Sequence, residues 1–206
     1  MRDIIGLTGY AGAGKDEAAT ALVQVYGFTR IGFADTLKEV LVKLDPIVYF
    51  HPTDSYVRAS TIVYKYGWRD AKDKFPEIRQ LLQRLGTEAG REIFGDSFWI
   101  ERAFDRMDRL PYAKPVVMTD VRFENEANAI RHRGGKVVRI QRPGCNPVNG
   151  HVSDSGVDRL SVDAILDNTG SVGDLHKGII RYYEGSYKKT TGQLYGTGNG
   201  FGEVPF

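Results

Sequence analysis

Ile4-Ile5-Gly6-Leu7-Thr8-Gly9-Tyr10-Ala11-Gly12-Ala13-Gly14-Lys15-Asp16 is the stretch on which the fold turns. A short apolar run leads into the spacing G-x-x-x-x-G-K, from Gly9 to Lys15, and an Ala-rich helical pattern follows from Lys15 to Val25. A strand before this spacing and a helix after it is the context in which it forms a phosphate-binding loop. Glycines let the chain wrap around an anion with successive backbone N–H groups pointing inward. The helix opening at Lys15 adds unpaired amides and the positive end of its dipole. The Lys15 ammonium adds a mobile charge for the outer phosphates of a nucleotide. Asp16 stands where Ser or Thr usually offers a hydroxyl to magnesium, so metal handling should depart from the usual pattern.

Strand and helix patterns alternate outward from this loop, which points to parallel β-α units and an α/β fold. Residues 3–8 read as the first strand and Phe28–Phe33 as a short second one. Leu37, Val40, Leu41 and Leu44 stripe a helix from about Asp35 to Leu44. From Asp45 to Asp73 the aromatics, Pro46, Pro52 and Gly67 suggest an inserted cap of short helices rather than sheet, spanning about 45–75. Pro76 suits the first turn of a long helix, with Gly86 and Gly90 interrupting or closing it. Asp96-Ser97 can cap a helix carrying Phe98, Trp99, Ala103, Phe104 and Met107.

Pro115–Asp120 is a buried-strand pattern that ends in an acid. A helix near Glu124–Arg133 and a strand at Lys136–Gln141 complete another unit. The Pro- and Gly-rich stretch 142–156 reads as a lid loop, Asp163–Leu166 as a last strand, and Val172 to Tyr183 as the final helix. One domain over residues 1–189 results, followed by a Gly-rich tail at 190–206 that is expected to be flexible.

Composition narrows the function. The chain has 206 residues, 41% of them hydrophobic, enough for a substantial core, and no apolar run approaches a membrane span. A net charge of only +2 argues against stable nucleic-acid binding, which favours a concentrated basic face. Cys145 is the only cysteine, which excludes an internal disulfide, argues against a cysteine-based zinc site and fits a reducing cytoplasm. Met1-Arg2-Asp3 runs at once into the first strand and is expected to leave no room for a signal peptide. A homodimer is left open.

In open parallel sheets, ligands sit beyond the carboxyl ends of the strands. Three segments fall there: the glycine loop, Phe33–Lys38, and Asp120–Glu126. An acid at a strand end, such as Asp120, can hold a metal or orient a hydroxyl, and Arg122 can make a fork-shaped contact with phosphate. Arg79, Arg84 and Arg91 lie on or near one helix, and phosphoryl transfer needs cations around the equatorial oxygens; Arg79 is the substrate-binding candidate among them. Most such arginines merely solvate a surface. Trp99 at helical spacing with Ala103 fits core as well as a ligand stack. Arg139 and Arg142 flank the lid loop, and His151 within it lacks a partner cysteine, serine or metal cluster and reads as lid structure.

Taken in order, Gly14-Lys15-Asp16, Ala34-Asp35-Thr36-Leu37-Lys38, Leu81–Glu88, Phe98-Trp99-Ile100, Asp120–Glu126, Arg142-Pro143-Gly144 and Asp167–Ser171 resemble the deoxynucleoside monophosphate kinases of bacteriophages. The resemblance runs from the first strand to about residue 184. It implies a three-layer P-loop kinase fold with a parallel central sheet, an inserted monophosphate-binding cap and a lid. It implies that Gly12, Ala13, Gly14, Lys15, Asp16 and the adjoining Glu17 form the ATP site, although Glu17 stands where that family often carries Thr. It further implies that Lys38, Trp99, Asp120, Arg122, Asn125 and Glu126 line the deoxynucleotide pocket.

The activity implied is transfer of the γ-phosphoryl of Mg·ATP to a deoxynucleoside 5′-monophosphate, in the host-cell cytoplasm if the chain is phage-encoded. Lys15 is assigned to the β/γ-phosphates and Asp16 to magnesium, directly or through water. Arg122 is assigned to the acceptor phosphate or the transferred group, and Asp120 to acceptor or metal positioning. The alternatives are a related small-molecule kinase, such as one acting on dephospho-coenzyme A, and a nucleotide-dependent switch that transfers nothing.

Overall fold

In the computed structural model, which describes residues 2–50, 54–145 and 157–188, the apolar run before the glycine loop forms β1 (Ile4–Thr8), buried throughout. Helix α1 (Lys15–Tyr26) starts after Gly14 and stops at Gly27, both in the left-handed region at φ 103° and 67°. Its buried face is Ala18, Ala19, Ala21 and Leu22, small enough to let the helix lie close on the sheet. There follow β2 (Thr29–Ile31), α2 (Asp35–Leu44), β3 (Ile47–Phe50), β4 (Ser55–Arg58), α3 (Ala59–Lys74) and α4 (Pro76–Arg84). Helix α4 continues through a π-helical turn, Leu85–Arg91, into α5 (Glu92–Phe94). The rest is α6 (Phe98–Asp108), β5 (Val116–Met118), α7 (Glu124–His132), β6 (Lys136–Gln141), β7 (Ala164–Asp167) and α8 (Val172–Tyr183).

Five strands pair in parallel in the order β2-β5-β1-β6-β7. Ile5 faces Val117 of β5 on one side and Lys136 of β6 on the other, so β1 is central. One face of the sheet packs Ile4, Met118 and Phe104 with Ile130 of α7. The other packs Leu7, Val138 and Ile179 with Leu22 of α1. The neighbours β1 and β5 therefore send their chains to helices on opposite faces, and a crevice opens between them at the carboxyl edge, where α/β sheets bind ligands. The glycine loop and Asp120–Glu126 are the two segments that leave the sheet there.

The cap has an apolar core of its own, built on Leu41, Val48, Ile62, Phe75 and Ile78. It differs from the expectation of short helices. Residues Ile47–Phe50 and Ser55–Arg58 form an antiparallel hairpin, with Val48 opposite Val57 and Tyr49 opposite Tyr56. Aromatic and β-branched residues suit a pleated surface, and Pro46 falls just before the first strand, where no ladder N–H is required. One longer helix, α3, replaces the remainder, kinked at Gly67, whose φ is 71°. Ser97 precedes α6 but does not cap it; its hydroxyl donates to Glu101 Oε1 at 2.6 Å. Among the described residues no helix is long and apolar enough to cross a membrane. Of the lid stretch 142–156 the first four residues are described; His151 and the tail at 190–206 lie outside the described residues.

Candidate active site

The glycine loop is held from two sides. Gly9 has φ 141°, and a Cβ there would meet the Ile140 carbonyl oxygen at 2.4 Å. Gly14, at φ 103°, would push a Cβ to 2.6 Å from Asn168 Nδ2. That amide is the loop's brace: buried at 6% exposure, it donates to the Ala13 carbonyl at 2.9 Å. Lys15 folds back over the loop and donates to the carbonyls of Gly9 and Tyr10 at 2.7 and 2.8 Å. Burial, with the Arg122 guanidinium nearby, lowers the Lys15 pKa from 10.5 to about 8, while Asp16, Asp120 and Cys145 oppose the shift. The lysine thus stays mostly charged at neutral pH and lies among charges drawn from both crevice segments.

Asp16 is exposed in the first turn of α1, and its Oδ1 accepts from Arg30 Nη2 at 2.6 Å. Arg30 in turn donates through Nε to Thr119 Oγ1 at 3.1 Å, which links the start of α1 to β2 and the end of β5. Glu17 lies 3.6 Å from His176 on α8. Asp120 uses both carboxylate oxygens on the chain between β2 and α2, accepting from the Phe33 and Ala34 amides at 2.8 and 3.0 Å. Among the described residues no cluster of three or more His, Cys, Asp or Glu forms a metal cage. A lone carboxylate beside a phosphate loop still fits magnesium, which keeps several waters and takes phosphate oxygens as ligands.

Arg122 is carried on a loop locked from behind by Glu126. The Glu126 carboxylate is buried at 3% exposure; Oε2 accepts from the Arg122 and Phe123 amides at 2.8 and 3.1 Å, and Oε1 pairs with Arg91 at 2.9 Å. The Arg91 guanidinium also lies 4.0 Å above the Phe123 ring. Burial, reinforced by Asp120 and opposed by the two amides and Arg91, pushes the Glu126 pKa up from 4.5 to about 7. Asn125 donates to the Asp96 carbonyl at 3.2 Å. Trp99 is 5% exposed, and its indole N–H donates to the Gly86 carbonyl at 2.8 Å. All three were expected to line the substrate pocket, and all three are engaged with protein groups here: Trp99 and Glu126 are buried on the inner side of their helices, while Asn125 is exposed and bonds across to the Asp96 carbonyl.

Four cations converge where the cap meets this loop: Lys38 on α2, Lys72 at the end of α3, Arg79 on α4 and Arg122. Lys38 lies 3.4 Å from Asp35, and Arg79 pairs with Asp73 at 2.9 Å while its Nε donates to the Lys72 carbonyl. Burial and the charges of Lys38, Arg122 and Arg79 lower the Lys72 pKa, opposed by Asp73. Lys72 was missed in the sequence because Trp68–Lys74 looks like an ordinary solvated helix end. Arg84 pairs with Glu88 on the outside, away from this group. On the other side of the glycine loop lies a cavity of about 320 Å³, lined by Gly9, Tyr10, Arg142 and Cys145 among others. Arg139 pins its far wall by donating to the Val157 and Leu160 carbonyls at 2.9 and 2.8 Å.

The family model described as deoxynucleotide monophosphate kinase matches residues 50–179, a span that begins after the glycine loop. A protein of Acanthamoeba polyphaga mimivirus whose name carries the same description is 31% identical over 198 residues, covering 86% of this chain and 94% of that one. The deoxynucleotide monophosphate kinase of Enterobacteria phage T4 is 28% identical over 100 residues, 48% of this chain and 42% of that one. Among solved structures, a dephospho-CoA kinase from Campylobacter jejuni is similar at a TM-score of 0.47 and 14% identity, over 92% of this chain and all of that one, too distant to bear on function.

Proposed function

The chain belongs to the deoxynucleotide monophosphate kinase family, and from that premise we propose that it transfers the γ-phosphoryl group of ATP to a deoxynucleoside 5′-monophosphate. One observation carries the reading: Arg122 is close enough to influence both Lys15 of the glycine loop and Lys72 of the cap cluster. This supports a guanidinium shared between a donor-phosphate site and a second anion site, an arrangement suited to in-line transfer. The acceptor phosphate is itself a nucleophile at neutral pH, so the protein supplies alignment, cations and exclusion of water.

The loop amides and Lys15 hold the β- and γ-phosphates, with Gly12, Ala13 and Gly14 forming the cradle and Glu17 at its edge. Lys38, Arg79 and Arg122 hold the acceptor phosphate. Asp120 sets the start of α2, and with it Lys38. Trp99, Asn125 and Glu126 shape the acceptor side from beneath. A magnesium ion bound with ATP, held by Asp16, would neutralise charge on the transferring phosphates. Nucleotides are the only partners this reading needs, with no nucleic acid or membrane in it and a cytoplasmic setting. A coupled ADP-release assay across the deoxynucleoside and ribonucleoside monophosphates, with dephospho-coenzyme A as a further acceptor, tests it. Stimulation by deoxynucleoside monophosphates supports the reading; ATP hydrolysis indifferent to every acceptor, or a preference for dephospho-coenzyme A, overturns it.

A further inference from the structure

Lys72 differs from its neighbours in the cation cluster. Lys38 and Arg79 each have an acid within 4 Å, Asp35 and Asp73. Among the described residues the half-buried Lys72 ammonium has neither a hydrogen bond nor an ion pair, and the charges of Lys38, Arg122 and Arg79 act on it more strongly than that of Asp73. A lysine in the last turn of a helix commonly serves the helix by approaching its terminal carbonyls. Lys72 makes no such bond; its neighbour Lys74 instead pairs with Asp70 in the same turn at 2.8 Å. Lys38, Lys72, Arg79 and Arg122 come from four separate elements, and an anion among them would relieve the repulsion that Lys72 meets from the other three.

We propose that Lys72 is a further ligand of the acceptor's 5′-phosphate, presented by the last turn of α3. The inference rests on the kinase reading above and adds a residue to it. A phosphate dianion offers three peripheral oxygens, and arginine forks recognise pairs of them, while a lysine binds as a point charge. Arg122 reaches the phosphate from the sheet and Lys72 from the cap, so the bound phosphate ties the two parts of the molecule across the crevice.

The test compares the wild-type chain with Lys72→Met and Lys72→Arg. Titration calorimetry measures the binding of each deoxynucleoside monophosphate, and separately of ATP without acceptor, alongside steady-state kinetics and thermal unfolding. Lys72→Met is expected to weaken monophosphate binding and raise its KM about 10- to 100-fold, the usual loss for a hydrogen bond to a charged group. ATP affinity stays unchanged, and the unliganded variant is no less stable than wild type, since a repelled cation has been removed. Lys72→Arg restores most of the affinity. Lys72→Met binding the monophosphate within about threefold of wild type overturns the proposal, because a lost charged contact costs more than that. A loss of stability repaired by Lys72→Arg without a change in monophosphate affinity also overturns it, in favour of a structural role. Wild-type protein that binds ATP but none of the monophosphates overturns the kinase reading itself, and this proposal with it.

Discussion

Glu126→Gln probes how the loop carrying Arg122 is held. The carboxylate accepts from two backbone amides and pairs with Arg91, yet burial dominates and its pKa rises from 4.5 to about 7. A carboxyl whose folded pKa lies above its unfolded value binds its proton more tightly in the folded state. Its protonation therefore favours the fold at low pH, and that advantage is lost as the pH rises between the two values. Displacement by about 2.5 pH units, at roughly 1.36 kcal/mol each, amounts to about 3 kcal/mol lost between pH 4.5 and 7, with no further change above. Glutamine is neutral throughout, so the stability difference between variant and wild type should move in the variant's favour by about 2–3 kcal/mol from pH 5 to pH 8.

Urea unfolding at a series of pH values measures this difference, with fluorescence of the buried Trp99 as one reporter. Comparing two chains that differ at one carboxyl cancels the pH dependence of the rest. A difference that stays constant across the range would show that Glu126 titrates as an ordinary carboxylate, and the account of a buried charge holding the loop would fail.

Lys15→Ala should lower kcat by at least ~10² while leaving the unfolding transition in place, since the main cation of the donor site is lost; activity within tenfold of wild type refutes that role. Arg122→Lys keeps the charge but loses the planar fork, so kcat/KM for the monophosphate should fall steeply while ATP affinity measured without acceptor hardly changes. A collapse of ATP binding instead would move Arg122 to the donor side. Gly90→Ala would place a Cβ 2.2 Å from Trp99 Nε1, so thermal unfolding should show a loss of about 1–3 kcal/mol from overpacking. An unchanged Tm would mean that the π-helical turn can yield.

What the sequence made legible follows from the range of the interactions concerned. Helix α2 from Asp35 to Leu44 and strand β6 from Lys136 to Gln141 appear with the expected bounds, because each is written in local periodicity. The glycine loop was equally plain, since its geometry depends on glycines at φ 78° and 103° within one short segment. The β3–β4 hairpin was not, because a four-residue apolar run such as Ile47–Phe50 suits a strand or a buried helical turn until a partner strand is present. Asn168 binds the loop from 155 residues away, and no local pattern records such a contact. Arg30 was overlooked for the same reason: on β2 it reads as a solvated charge, and only the fold brings it to Asp16. Trp99 was legible as a choice between core and ligand stack, and the bond to Gly86 with the missing Cβ at Gly90 places it in the interior.

The charges of the site explain why its residues had to be collected from so many elements. Lys15 and Arg122 repel one another, and Lys72 is repelled by Arg122, Lys38 and Arg79. No single helix tolerates that density of like charge on one face without loss of stability. Distributed over the glycine loop, α2, α3, α4 and the loop after β5, the cations are each fixed by separate local contacts, such as the Glu126 lock and the Asp73 pair. The repulsion is then borne by the assembled fold, and in the proposed reading phosphates entering from both sides would relieve it. Arg122 is the cation common to both sets, so under the proposed function the position of its loop would set how closely the two phosphates are brought together. That loop is held by Glu126 and by Arg91 above Phe123, so the same reading would make residues remote from the phosphates part of the alignment.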